Sequence, residues 1–256
     1  MKETNSKPYG TVLIKASKIL DCLADTTGDV TLKEISDMSG LTTSTALKIL
    51  DTLIMIGYVT RNEKNKTYFL GPGLVKYSQA YSTNSMLKNI AESSLEALQA
   101  EFDETIHLGM ANNHELIYID KLEPKKQSIY MSSKIGATKP LYSTGMGKVF
   151  LADYDSDMLE NYFETVPLKA YTENTITNKF LMEKELQKIQ ETDIAYDDEE
   201  MEKDCFCIAM PIKNKQGKLE GAFSVSMPKF RADETVIEKV IDKMKATKES
   251  IENNLN

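Results

Sequence analysis

Residues 31–57 read TLKEISDMSGLTTSTALKILDTLIMIG, and this stretch decides the first part of the fold. Thr31-Leu32-Lys33-Glu34 has the form of a capping box, with Thr at the N-cap and Glu three residues on. It opens a short helix through about Met38. Ser39-Gly40 ends that helix, because glycine tolerates the left-handed conformation past a helix end. A second helix starts within residues 41–44 and runs to about Ile56. Its expected buried stripe is Ala46, Leu47, Leu50, Leu53 and Ile54. Gly57 stops it in the same way.

Upstream, Val12, Ala16, Ile19, Leu20 and Leu23 recur at helical period, and Asp25-Thr26-Thr27-Gly28-Asp29 breaks the pattern with turn chemistry. Downstream, Tyr58-Val59-Thr60 and Thr67-Tyr68-Phe69-Leu70 are β-rich runs joined by the polar residues 61–66, which predicts a hairpin. Gly71-Pro72-Gly73 closes the unit. Helix, helix, turn, helix, hairpin is the order of a winged helix-turn-helix, expected over residues 1–73. Residues 74–101 form an amphipathic helical stretch with a polar gap at Ser82-Thr83-Asn84-Ser85. Residues 74–85 are expected to be a linker helix and 86–256 a second domain.

That second part mixes strands and helices. Residues 105–110 and 115–120 read as strands, 128–131 as a third, and 205–212 with 219–227 as a hairpin. Helical runs cover 145–153, 156–163, 179–191 and 233–253. Strands grouped beside helices, without strict alternation, predict an α+β domain on an antiparallel sheet.

The 256 residues are 41% hydrophobic and 27% charged, the profile of a folded chain with a sizeable core. No apolar run reaches the ~18 residues of a membrane span. The first ten residues, MKETNSKPYG, lack the apolar region of a signal peptide, so the expected compartment is the cytoplasm. Three cysteines, Cys22, Cys205 and Cys207, suit a reducing environment. The net charge of −8 argues against nucleic acid only for the chain as a whole. Residues 1–75 carry nine Lys/Arg against eight Asp/Glu, and the remainder 22 against 31. The first part can still present a basic face, and local charge is what meets phosphate.

On the third helix, Ser44, Thr45, Lys48 and Thr52 share the face opposite the apolar stripe, with Thr42 and Thr43 at the N-terminal end where recognition helices meet bases. Lys48 can reach a guanine edge or a phosphate. Arg61, Lys64 and Lys66 at the hairpin tip read as a wing for the backbone or minor groove, and Lys15, Lys18 and Lys33 as further phosphate contacts. A plain solvated helix face is the competing reading; the flanking capped helix and hairpin favour DNA.

In the second part, Thr144-Gly145-Met146-Gly147-Lys148 opens a helix whose unpaired N–H groups favour a carboxylate or phosphate. The two glycines either let a ligand approach or serve packing. Period-2 alternation puts Ser224 and Ser226 on one strand face, and Cys207 and Ala209 on one face of the strand opposite. Hydroxyls, a thiol, an Asp and a helix N-terminus suit a small acid.

These strings, in order across residues 11–245, resemble the IclR family of bacterial transcriptional regulators. The resemblance rests on Leu32-Lys33-Glu34-Ile35-Ser36, Gly40-Leu41-Thr42-Thr43-Ser44-Thr45 and Leu53-Ile54-Met55-Ile56-Gly57-Tyr58-Val59. Farther on it rests on Pro140-Leu141-Tyr142-Ser143-Thr144-Gly145-Met146-Gly147-Lys148, Tyr196-Asp197-Asp198-Glu199-Glu200, Cys207-Ile208-Ala209-Met210-Pro211 and Ser224-Val225-Ser226-Met227-Pro228. It implies a GAF-like effector-binding second domain, a homodimer or dimer of dimers, and ligand-controlled binding to a pseudo-palindromic double-stranded DNA operator, with repression the expected sense. It carries effector positions onto Met131, Gly145, Met146, Asp197, Cys207, Ser224 and Ser226, of which Asp197, Cys207, Ser224 and Ser226 match the pattern in relatives that take short keto acids. Thr43 stands where a basic residue is frequent, Lys48 where Arg is, Met146 where a smaller Ala can stand, and Ser128 and Lys139 where apolar residues can. No catalytic residue, metal or cofactor is expected. The rival class is a GAF-type thiol redox enzyme or redox sensor using Cys205 and Cys207; His107 and His114 offer no zinc spacing.

Overall fold

The computed structural model describes residues 9–129 and 131–255. Two compact units meet in sequence between Asn84 and Ser85. The first contains helices α1 (Thr11–Asp25), α2 (Leu32–Ser39), α3 (Thr43–Met55) and α4 (Val75–Asn84), and strands β1 (Val30–Thr31), β2 (Val59–Asn62) and β3 (Thr67–Leu70). The capping box is present: the Thr31 hydroxyl accepts from Glu34 N–H at 3.3 Å, and Glu34 Oε2 accepts from Thr31 N–H at 2.8 Å. Gly40 follows α2 with φ 67°. The strands form an antiparallel sheet in the order β1-β3-β2, and β1 was not foreseen. Gly71 and Gly73 answer to close packing: a Cβ on either would lie 2.4 or 2.6 Å from the Gly57 carbonyl oxygen.

Two expected core positions are corrected. Val12 is 55% exposed, because the packed half of α1 centres on Ile19 and Leu23. Leu47 is 36% exposed and Ile49 is buried in its stead. Ala46, Ile49, Leu50 and Leu53 face α1 and α2 at i, i+3, i+4 and i+7, which rotates Leu47, about 100° from Ala46, toward solvent.

The second unit holds α5 (Met86–Phe102), β4 (Thr105–Asn112), β5 (Glu115–Leu122), β6 (Thr138–Pro140), α6 (Gly145–Ala152), α7 (Ser156–Thr165), α8 (Lys179–Thr192), β7 (Ala195–Asp198), β8 (Cys205–Lys213), β9 (Leu219–Pro228) and α9 (Glu234–Asn253). One antiparallel sheet runs β6-β5-β4-β9-β8-β7. Helices α5 and α9 cover one face, where Leu95, Leu98, Val240 and Met244 meet Ile106, Ile208, Phe223 and Val225. Helices α6 to α8 cover the other, where Val149, Tyr162 and Met182 meet Leu116, Ala195, Ala209 and Ala222. The alternation of β8 and β9 thus sends their large residues to one core and their small or polar ones to the other. The expected α+β class holds. The short strands β6 and β7 were not foreseen. Of the expected strand 128–131, Tyr130 lies outside the described residues, as do residues 1–8, and Ser128, Ile129 and Met131 are not extended into a ladder. Among the described residues no helix is long and apolar enough to cross a membrane.

Candidate functional site

The outer face of α3 carries Thr43, Ser44, Leu47, Lys48 and Thr52, all exposed. Thr42 is the N-cap: its hydroxyl accepts from Thr45 N–H at 3.3 Å and donates to the Thr45 hydroxyl at 2.9 Å. Thr42 and Thr45 therefore spend part of their hydrogen-bonding capacity within the helix start. Thr43, Ser44 and Lys48 remain the outward polar groups, the Thr52 hydroxyl donating to the Lys48 carbonyl at 3.1 Å, and Leu47 among them suits a thymine methyl or a sugar. In the β2–β3 turn Glu63 lies 3.8 Å from Arg61 and 3.1 Å from Lys66, while Arg61 also lies over the Tyr68 ring. Arg61 is half-buried, while the Glu63–Lys66 pair is exposed and therefore weak. Lys64 is exposed at the tip.

The second site is a cavity of about 50 Å³ between the α6 start and the polar face of β4, β8 and β9. Met131, Gly145, Met146, Asp197, Cys207, Ser224 and Ser226 all line it. His107, Tyr118, Ser133, Lys139, Thr144, Glu202 and Cys205 line it too. Ser128 is exposed elsewhere.

Strand register builds the cavity floor. Ser226 stands opposite Cys207, and Ser224 opposite both Ala209 and His107. His107 Nδ1 lies 3.2 Å from the Ser226 hydroxyl and 3.4 Å from that of Ser224, and Nε2 lies 2.6 Å from the Ser133 hydroxyl. Burial, with the Lys121 cation adding to it, pushes the imidazole down to about 3. His107 is therefore a neutral ring with hydroxyl neighbours. Its partners include no carboxylate, so this contact does not make a nucleophile of either serine.

Asp197 Oδ1 accepts from Glu200 N–H at 2.8 Å and Met201 N–H at 3.3 Å. Burial raises its carboxyl to about 7 in spite of those bonds. A deeper pair fixes this corner: Lys148 of α6, 1% exposed, is ion-paired to Glu200. Burial outweighs that cation and keeps Glu200 above the ordinary carboxylate range. The Cys207 thiol is pushed up by its contact with Cys205 and by burial. With a neutral ring, the Cys207 thiol held protonated and the Asp197 carboxyl raised to about 7, the anionic charge of the cavity is reduced, and Glu202 remains on its wall.

At the top of the cavity Thr144 caps α6 by accepting from Gly147 N–H at 3.1 Å. The first helical N–H groups have no partner within a helix. Gly147 answers to packing, since a Cβ there would stand 2.1 Å from the Leu141 carbonyl oxygen; Gly145 lines the cavity, and a Cβ on it would stand 3.2 Å from Ala209 Cβ.

Residues 79–253 match the family model described as bacterial transcriptional regulator IclR C-terminal, and residues 12–63 match the IclR helix-turn-helix domain. The chain belongs to the IclR family. It is 29% identical to the DNA-binding transcriptional repressor YiaJ of Escherichia coli (strain K12), over 100% of this chain and 92% of that protein. Its structure is similar to that of the Thermotoga maritima IclR, with 34% identity and a TM-score of 0.73 over 96% of this chain and 99% of that one. It shares the fold of an IclR homolog from Microbacterium hydrocarbonoxydans complexed with 4-hydroxybenzoate, at 19% identity and a TM-score of 0.79 over 95% and 98%. As an IclR-family chain it is a DNA-binding transcriptional regulator and not an enzyme, which sets aside the thiol enzyme.

His107 was the missed residue with a readable signal. In β4 it alternates with Ile106 and Leu108, a polar group on the face away from the apolar core. Tyr118 and Ser133 carried no such signal, since they reach the cavity through strand pairing and a long loop.

Proposed function

We propose that this chain is an effector-responsive repressor acting in the cytoplasm, in which residues 1–73 read DNA, 74–85 link, and 86–256 sense a small organic acid. The cavity carries the reading: a helix N-terminus, two serines and a neutral histidine face one buried space, with Lys139 at its wall. About 50 Å³ gives room for about four water-sized groups at roughly 10–15 Å³ each, the size of a carboxylate and its neighbouring oxygen. The acid's carboxylate would sit at the α6 start, and its keto or hydroxyl oxygen against Ser224 and Ser226. Met131, Met146, Asp197 and Cys207 shape the remainder. The acid bound by the Microbacterium homolog and the repressor role of the Escherichia coli relative support the same sense.

On the DNA side, Thr42, Thr43, Ser44, Thr45 and Lys48 would contact the major groove and Arg61, Lys64 and Lys66 the flanking backbone. A homodimer or dimer of dimers would place paired α3 helices about one DNA turn apart on a pseudo-palindrome.

The test is fluorescence anisotropy with DNA upstream of the chain's own gene, titrated with a panel of keto and sugar acids. Lys48→Ala is expected to weaken specific binding by about tenfold or more. Ser224→Ala with Ser226→Ala should abolish the acid response and leave acid-free DNA binding intact. An acid response undiminished in that double variant refutes the pocket, and an unchanged operator affinity in Lys48→Ala removes Lys48 from the reading face.

A further inference from the structure

Three sulfurs converge at the outer end of the cavity. Cys205 Sγ lies 3.6 Å from Cys207 Sγ and 3.5 Å from the Met131 thioether, which arrives from the loop between β5 and β6. We propose that Cys205, Cys207 and Met131 form a binding site for one soft, thiophilic cation, with Cu(I) the best fit.

The cluster is better suited to an ion than to a disulfide. Two steps along a strand separate Cα atoms by about 6.7 Å, near the upper limit for a bridge. Strand β8 is paired on both sides, with Cys207 opposite Ser226 and Asp197, so the backbone is not free to shorten that span. A bridging ion asks for much less. With metal–sulfur bonds of about 2.3 Å, a trigonal ion sets its ligands about 4 Å apart, a few tenths beyond the present spacing and within reach of side-chain rotation.

Ligand type selects the ion. Among the described residues no three His, Cys, Asp or Glu side chains converge as a metal site, so a zinc or hard-cation set is not assembled here. Two thiolates and a thioether are soft donors that select Cu(I). Binding releases two protons: Cu(I) with two thiols gives a bis-thiolate complex of charge −1, completed by the Met131 sulfur. Two cations stand nearby: Lys121 Nζ, 2.8 Å from the Met131 carbonyl oxygen and paired with Glu123, and Lys139 on the cavity wall, with Glu202 on the same wall. Access is open, since Met131 and Cys205 also line an outer groove of about 610 Å³ beside Phe230.

The experiment is anaerobic titration of the reduced full-length chain with Cu(I) against a chromophoric Cu(I) chelator. One Cu(I) per chain held against the chelator is expected, with an all-sulfur X-ray absorption signature. Cys205→Ser and Cys207→Ser should each weaken binding by more than about 100-fold, beyond the loss of an outer-shell contact. Met131→Leu, a conservative change in a loop, should weaken it about tenfold, and Cys22→Ser should leave it unchanged. Circular dichroism establishes that each variant is folded. Binding that survives loss of both Cys205 and Cys207, no effect of Met131→Leu, complete capture by the chelator, or a preference for Zn(II) would each overturn the proposal. None of these outcomes depends on DNA or acid binding.

Discussion

His107 and Asp197 share one cavity and oppose each other in acid, so replacing either should expose the other. Take His107→Gln, which keeps a polar group near Ser133 and does not titrate. The imidazole is held at about 3 in the folded chain against 6.5 ordinarily. Its contribution is present above pH 6.5 and is lost as pH falls, because only the unfolded chain takes the proton. Lowering pH from about 7.5 to about 5 then costs roughly 2 kcal/mol by linkage. Asp197 has the opposite sign: its carboxyl stands at about 7 against 3.8 ordinarily. The folded chain takes that proton first, so the same acidification contributes roughly 2–3 kcal/mol of stability.

The two terms nearly cancel in the unaltered chain. His107→Gln should therefore gain about 2 kcal/mol on acidification relative to it, and Asp197→Asn should lose about 2–3 kcal/mol. Raised carboxylates away from the pair, Glu104 and Asp153 among them, titrate in every variant and drop out of the difference, whereas Glu200 is electrostatically coupled to Asp197, so His107→Gln is the cleaner comparison. Urea unfolding followed by circular dichroism at both pH values supplies the slopes. Hydrogen exchange of the β4 and β9 amides assigns them to the second unit. Acid responses that coincide for all three proteins would sink the argument. So would an acid response of His107→Gln equal to that of the unaltered chain, which would mean that the folded imidazole accepts the proton.

Two further changes test how the cavity is supported. Gly147→Ala forces a Cβ to 2.1 Å from the Leu141 carbonyl oxygen, a backbone atom, and should cost about 3 kcal/mol or more in thermal or urea unfolding, against about 1 kcal/mol for Gly145→Ala, whose new methyl meets Ala209 Cβ at 3.2 Å and the nearest backbone atoms at 3.6 Å. Lys148→Met strands a buried carboxylate and should cost about 3–5 kcal/mol, with Lys148→Met plus Glu200→Leu recovering most of it; a double variant no more stable than the single one would show that packing, not the lost charge partner, sets the cost.

The legible part of the molecule is what local chemistry fixes. The Thr31–Glu34 box, Gly40, Gly57 and the turn at residues 61–66 each satisfy or break backbone hydrogen bonds within a few residues, so their sequence meaning survives folding. Leu47 and Ile49 mark where this stops. Both are apolar and lie near the stripe, and the contacts of α1 and α2 decide which is covered. The cavity divides the same way. Alternation in β9 assigns Ser224 and Ser226 to one face, but joining them to His107 requires the β4–β9 register. The β4–β5 register, which brings Tyr118 nearby, shifts between Leu108 and Gly109. Period-2 patterns say which way a side chain points and nothing about which residue stands opposite. Met131 is harder still, because it lies in an irregular loop and comes to Cys205 across 74 positions. The cavity therefore joins two kinds of part: a rigid floor of paired strands, and a wall from the loops around Met131 and Glu202, tied by the 3.0 Å Ser132–Glu202 hydrogen bond. A ligand shifts a conformational equilibrium only through contacts that differ between states. The paired floor has little freedom to differ, so on the proposed reading the effector's leverage would lie in what it does to that wall.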